Sequence, residues 1–189
     1  MLRHLLFTSL SVFIFFSTSS NALEAMPAII NFLLSDENID ITPLKKTGQT
    51  ISYQPKDDGD YQTGVTPSYS KINEVVTDNI TGLEWQDDAE AASISKNWAD
   101  AQTHCNALAL DGGGWRLPTR TELISLSDYG RVSPAIDPIF SNIVSSGYWS
   151  STSYAVYSEN AWNVTFNNGY QDRYDKSGSN YVRCVRAGQ

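Results

Sequence analysis

The densest set of groups suited to contact a ligand lies between residues 154 and 180. There Tyr154, Tyr157, Asn160, Asn167, Asn168, Tyr170, Asp172, Tyr174 and Asn180 are interleaved with serine and glycine. Tyrosine presents a large rigid face and a hydroxyl at small entropic cost, while asparagine, serine and glycine supply adaptable hydrogen bonds. Aromatic faces also stack on sugar rings. Tyr154, Tyr157, Asn160, Asn167, Tyr170, Asp172 and Tyr174 are therefore the candidate binding residues, for a glycan or a protein ligand. The competing reading makes them solvent-facing positions of short strands and turns, where the same residue types are common.

Groups for catalysis are sparse. His104 is the only histidine beyond residue 22, and no nucleophile elbow, paired-histidine metal motif or phosphate loop occurs. A non-enzymatic protein without a cofactor or metal is the expectation. Asp57, Asp58 and Asp60 flank Gly59 and offer hard oxygens of the kind calcium takes. As an isolated acidic turn, this segment reads first as a solvated loop. Asn79-Ile-Thr81 and Asn163-Val-Thr165 fit the glycosylation sequon, a pattern too short to carry weight.

The compartment follows from the first 22 residues. Arg3 and His4 precede an apolar run over 5–16, and Ser20-Asn-Ala22 supplies a small-x-small cleavage pattern. This is the form of a secretory signal peptide. The run is shorter than the roughly 20 residues a membrane span needs, so no integral membrane segment is expected after cleavage. The protein is then exported, to the periplasm, the cell surface or the medium. The whole chain carries a formal charge of −8 and the leader contributes only Arg3, so the remainder stands at about −9. A field of that sign disfavours nucleic acid and anionic lipid as partners.

Cys105 and Cys184 are the two cysteines, and export takes them where disulfides persist. We expect them to pair, the alternative being two buried thiols. Closing a loop of about 80 residues contributes roughly 4–5 kcal/mol by loop-closure entropy.

The elements that position these residues are legible in part. Residues 23–70 form an N-terminal extension, with a short apolar stretch over 28–34 that reads as one helix and a polar remainder rich in glycine and aspartate. Residues 75–85 read as a hairpin around Asp78-Asn79. Asn97 caps a helix over 98–108, with Asp100 in its first turn and Trp98, Ala101, Cys105 and Leu108 on one face; Asp111-Gly-Gly-Gly114 stops it. Thr119-Arg-Thr-Glu122 is a capping box that opens a second helix, continued by Leu123 and Leu126. Pro134 and Pro138 impose an irregular segment. Residues 148–152, 161–166 and 181–186 read as strands. Trp85, Trp98, Trp115, Trp149 and Trp162 are expected to pack inward, and Arg116, Arg183 and Arg186 to make internal hydrogen bonds near the disulfide. The fold class is α+β, two helices on short, mostly antiparallel strands.

Six segments, in order, resemble the Lcl C-terminal domain family, long described only as a domain of unknown function. They are Val76-Thr-Asp-Asn-Ile-Thr-Gly-Leu-Glu-Trp-Gln86, Trp98-Ala-Asp-Ala101 with Cys105, Trp115-Arg-Leu-Pro-Thr119 with Glu122-Leu123, Pro134-Ala-Ile-Asp137, Tyr148-Trp-Ser-Ser-Thr152 and Tyr181-Val-Arg-Cys-Val-Arg186. The resemblance covers roughly residues 70–187, within a domain taken as 71–189. It implies a C-type-lectin-like fold, in which a cysteine on the first helix is tied to one on the last strand. It also implies that the long irregular stretch between the second helix and the last strand is the display surface. Calcium-type lectins place a Glu-Pro-Asn or Gln-Pro-Asp loop and a Trp-Asn-Asp strand around the ion; here Val164 follows Trp162-Asn163 and no such loop is present. The collagen-like adhesin that gave the family its name binds sulfated glycosaminoglycans. Without collagen repeats or net positive charge, this chain does not inherit that ligand. The functional expectation is a recognition module, an adhesin being one form of it, with a structural subunit of a cell-envelope or surface assembly as the alternative.

Overall fold

The computed structural model describes residues 43–188. The signal peptide and the helix expected over 28–34 lie outside the described residues.

Two sheets form the frame. The first has the order β1-β2-β3-β9, built from β1 (Tyr69–Ile72), β2 (Val75–Asp78), β3 (Leu83–Gln86) and β9 (Val185–Ala187), all antiparallel. The second has the order β4-β8-β5-β6-β7, from β4 (Ser95–Lys96), β5 (Gly147–Ser153), β6 (Asn160–Thr165), β7 (Tyr170–Asp175) and β8 (Asn180–Tyr181). Only β5 and β8 run parallel in it. The helices are few: one-turn α1 (Asp58–Tyr61) and α2 (Glu90–Ser93), the ten-residue α3 (Trp98–Ala107) and the short α4 (Arg120–Ile124). The chain is thus mixed α+β, as the sequence pattern indicated.

Local chemistry fixes several of these elements. The hairpin of β2 and β3 closes through Asp78, whose carboxylate accepts from the Ile80 amide at 3.0 Å while its carbonyl accepts from Gly82 at 2.8 Å. Gly82 sits at φ +71°, a region that only glycine enters without steric cost. Asn97 caps α3 by accepting from the Asp100 amide at 2.9 Å. Thr119 and Glu122 form the capping box in both directions. Ala101 and Cys105 on α3 are buried, with Trp98 and Leu108 packed beside them.

Two apolar clusters flank the second sheet. Tyr148 and Val164 face a cluster with Trp85, Leu123, Phe140 and Phe166, whereas Trp149 and Ala161 face one with Trp115, Leu117, Ala101 and the disulfide. This follows from the period-two alternation along a strand, which sends neighbours to opposite faces. Trp85, Trp115 and Trp149 are fully or almost fully buried, in accord with their expected packing role.

The segment 181–186, expected as one strand, is two. β8 belongs to the second sheet and β9 to the first, and Val182, Arg183 and Cys184 carry the chain between them. The crossing is held by partners from both sides: the Val182 amide donates to Ile94 O at 3.2 Å and the Cys184 amide to Gln86 Oε1 at 3.0 Å. At this crossing Cys184 is disulfide-bonded to Cys105, with Cα atoms 5.4 Å apart. Arg183 is fully buried, donating to Gln86 O at 2.5 Å, to Asp87 Oδ1 at 3.0 Å and to Asn142 O. Arg186 donates to Glu84 at 2.7 Å and to the Asp111 carboxylate at 2.8 Å, and Arg116 pairs with Glu122. Arg183 and Arg186 thus hold the internal roles expected of them, whereas the Arg116 pair stands at the surface.

β1 was not anticipated. It begins inside the polar stretch before residue 71 and pairs with β2 along four residues. Upstream of it, Lys45 makes an ion pair with the buried Asp78 and lies 5.1 Å from the centre of the Tyr69 ring, so residues 43–68 are anchored on the first sheet. Among the described residues, no helix is long and apolar enough to cross a membrane.

Candidate binding surface

Most of the stretch between Tyr154 and Asn180 is an antiparallel hairpin, whereas the chain between α4 and β5 is irregular. β6 and β7 pair over six residues, from Asn160↔Asp175 to Thr165↔Tyr170. Cross-strand partners share a face, so the register divides the candidate residues into two groups.

On one face lie Tyr170, Asp172 and Tyr174, opposite Thr165, Asn163 and Ala161. Tyr174 packs at 5.8 Å from Trp149, and Asp172 is exposed, its carboxylate accepting from the Arg173 amide at 2.7 Å. On the other face Trp162 pairs with Arg173 and Val164 with Gln171. The connection before β6 lays two further rings here. Tyr154 meets Trp162 edge-on at 5.1 Å, and Tyr157 stacks on Tyr154 at 6.0 Å and 28°.

Two guanidiniums complete this second group. Arg120, from the first turn of α4, lies 3.9 Å from the centre of the Trp162 ring and hydrogen-bonds Gln171 through Nε. Arg173 spans Tyr154 at 5.2 Å and Tyr157 at 5.8 Å. The result is an alternation of cation and ring: Arg120, Trp162, Tyr154, Arg173, Tyr157. Each contact of this kind contributes roughly 0.5–1 kcal/mol at an exposed site, enough to hold the rings in one arrangement. Tyr157 remains 50% exposed. Neither guanidinium is in any ion pair among the described residues, and exposed Asp175 stands on the same face as Arg173, so the rings carry charges of both signs beside them.

Of the remaining candidates, Asn160 shares the second face, opposite Asp175, whereas Asn167 lies apart. Asn160 starts β6, and its amide closes a turn onto Tyr157 O at 3.0 Å, so it shapes the Tyr154–Tyr157 turn. Asn167 sits at the far end of the hairpin, where its backbone and side-chain oxygens both accept from Ser133, at 2.8 and 2.5 Å. Trp162 differs from expectation. It shares the face of Val164, but that face leaves the core toward its end, so Trp162 is half-buried under Arg120 instead of packed inside.

Other sequence candidates have structural employment. Asp57 is the N-cap of α1: its oxygens accept from the amides of Tyr53 at 2.7 Å and Asp60 at 3.0 Å. The bond from the Tyr53 amide is the main reason its pKa lies below the ordinary carboxylate value. No group of three or more histidine, cysteine or acidic side chains is placed to hold a metal among the described residues. Asn163, in the second sequon, is 7% exposed with its amide toward Asn180, whereas Asn79 in the first is exposed. His104 lies 3.6 Å from Glu90 on the side of α3.

A separate cavity of about 280 Å³ opens beside α3, lined by Gln102, Asn106, Arg116, Leu117, Thr119 and Ser151. Its Arg116 is clamped by both oxygens of Glu122, at 2.8 and 2.5 Å, and that hydrogen bonding holds the guanidinium above its usual pKa. Partial burial raises the pKa of Glu122, but bonds from Arg116 and from the Thr119 amide and hydroxyl more than offset it.

Among curated proteins, none matches the chain in sequence. Residues 74–186, more than half of the chain, match the Lcl C-terminal domain, and they hold both sheets' central strands, the disulfide and the aromatic face; the chain belongs to the Lcl C-terminal domain family.

Proposed function

We propose that the chain is an exported, non-enzymatic recognition module, of C-type-lectin-like fold, that binds a glycan or protein ligand on the hairpin face bearing Tyr154, Tyr157 and Arg173. An adhesin is one form such a role takes. One observation carries the choice of face: the rings of Tyr157, Tyr154 and Trp162 are fixed in a ladder by Arg120 and Arg173 and still present an exposed edge. A surface ordered before the ligand arrives avoids the entropy of ordering on binding. Aromatic and arginine side chains are also the groups that dominate measured binding energies. The pairing of Arg116 with Glu122 engages both ionisable groups beside the cavity next to α3, which favours binding over acid–base chemistry there. The tie between the opening helix and the crossing before the last strand supports the fold reading.

Two triple variants separate the faces on an array of glycans and extracellular proteins. Tyr154→Ala/Tyr157→Ala/Arg173→Ala should weaken capture at least about thirtyfold, the equivalent of losing a cluster worth about 2 kcal/mol. Tyr170→Ala/Asp172→Ala/Tyr174→Ala should stay within about twofold of the parent. Both variants should still unfold cooperatively, with melting temperatures lowered by no more than about 10 °C. Capture that survives the first variant, or that is lost equally in both, removes this choice of face.

A structural subunit is the second reading, and a specific observation favours it. Leu44, Ile51, Tyr53 and Tyr61 are all exposed, Tyr53 to 81%, in a segment preceding the family match. Large apolar side chains left exposed within one segment suit packing against another chain. Cross-linking in intact cells should then trap the parent chain in a larger species and leave Ile51→Ser/Tyr53→Ser/Tyr61→Ser as a free monomer. A parent chain recovered only as a monomer ends this reading.

A further inference from the structure

We infer that the cavity beside α3 is a second binding site, for a neutral polyhydroxylated ring the size of one hexose. It is independent of the hairpin face and shares no residue with it.

The walls come from three elements held rigidly together. Gln102 and Asn106 lie one turn apart on α3 and so share a face; the helix is fixed by the disulfide at the intervening Cys105. The opposite wall, residues 116–119, is locked at one end by reciprocal backbone bonds between Arg116 and Val185, both 2.9 Å, and at the other by the Thr119 capping box. The third wall is β5, where the Ser151 amide donates to Pro118 O at 2.7 Å. Buried Leu117 also lines the cavity. A site of this kind needs no rearrangement to accept a ligand.

The lining chooses the ligand class. Among the described residues, the amides of Gln102 and Asn106 and the hydroxyl of Ser151 make no side-chain hydrogen bond. Each amide offers a donor and an acceptor side by side, which complements the alternating donors and acceptors of adjacent ring hydroxyls. An apolar guest that covers these groups strips them of water and leaves them unpaired, which disfavours it. An anion is disfavoured as well, because the only cation in the lining is already bound on both nitrogens by Glu122. The volume of about 280 Å³ lies just below the usual range for drug-sized ligands. Leu117 supplies apolar contact for the C–H face of a ring.

The test is a titration of the full-length mature chain, followed by the side-chain amide resonances of Gln102 and Asn106, with methyl α- and β-hexopyranosides and with a hexuronate of the same ring size. Saturable shifts with a millimolar Kd for at least one neutral glycoside are expected, and no tighter binding of the hexuronate. Gln102→Ala/Asn106→Ala should weaken that binding at least about tenfold while leaving ligand capture on the hairpin face unchanged. Should that variant lose its fold, Ser151→Val, which fills the cavity from the β5 side, carries the same expectation. Absence of saturable shifts with every neutral glycoside overturns the inference, as do tighter hexuronate binding and unaltered binding in the folded variant.

Discussion

Cys105→Ala/Cys184→Ala is expected to destabilise the folded chain by about 4–5 kcal/mol, lowering the melting temperature on the order of 10–15 °C. The two residues are 79 apart in sequence and both fully buried, so without the bond the unfolded chain regains the freedom of nearly half its length. The bond also acts locally. It pins the middle of α3 to the three-residue crossing that joins the two sheets, and the second apolar cluster forms around it. Calorimetry of the double variant against the parent provides the measurement. A difference below about 2 °C shows that the crossing holds without its covalent tie.

The second large effect is expected at Asp87, which sits between the sheets and accepts from both Arg183 and Lys71, and from the Ser141 and Asn142 amides at 3.0 and 3.1 Å. Both Asp87 and Arg183 are completely buried. Asp87→Ala leaves the guanidinium of Arg183 in the interior without its counter-charge, a change that costs about 3–5 kcal/mol. Replacing both partners removes the stranded charge, so Asp87→Ala/Arg183→Met should be more stable than the sum of the two single variants by at least about 1 kcal/mol. Denaturant unfolding of the four proteins closes this cycle. Strict additivity means that the pair contributes only through its separate hydrogen bonds to the backbone.

The same residues explain how much of the fold was legible beforehand. Signals written locally match the structure: the Asn97 cap, the Thr119–Glu122 box and the hairpin turn that follows Asp78 each depend on neighbours within a few positions. The strand β7 was missed because an edge strand exposed on both faces has no reason to alternate apolar and polar side chains. Its sequence, Tyr170-Gln-Asp-Arg-Tyr-Asp175, reads instead as a loop. β1 escaped for a related reason, since its outward positions, Ser70 and Ile72, do not differ in the way a half-buried strand should. The run 181–186 looked like one strand because all of it is β-prone. Only the placement of two sheets makes it break at Val182.

The candidate surface was legible in composition and not in arrangement. Tyrosine and asparagine marked the right stretch, yet the division into two faces follows from a register that composition does not encode. Arg120 is 42 positions before Trp162 and was assigned no binding role, and Arg173 was passed over between two tyrosines. A strand reading of β7 would have found the latter, because Arg173 alternates with Asp172 and Tyr174. Gln102 and Asn106, spaced four apart on an identified helix, were also available to a reading that asked what the helix's polar side faces.

Hydrogen exchange of the chain, with and without the ligand returned by the array, addresses the choice of face most directly. Protection is expected over residues 153–160 and 171–175, with residues 43–66 unchanged. Protection confined to the 166–170 turn or to 43–66, with none over 153–158, contradicts recognition by the Tyr154, Tyr157 and Arg173 face.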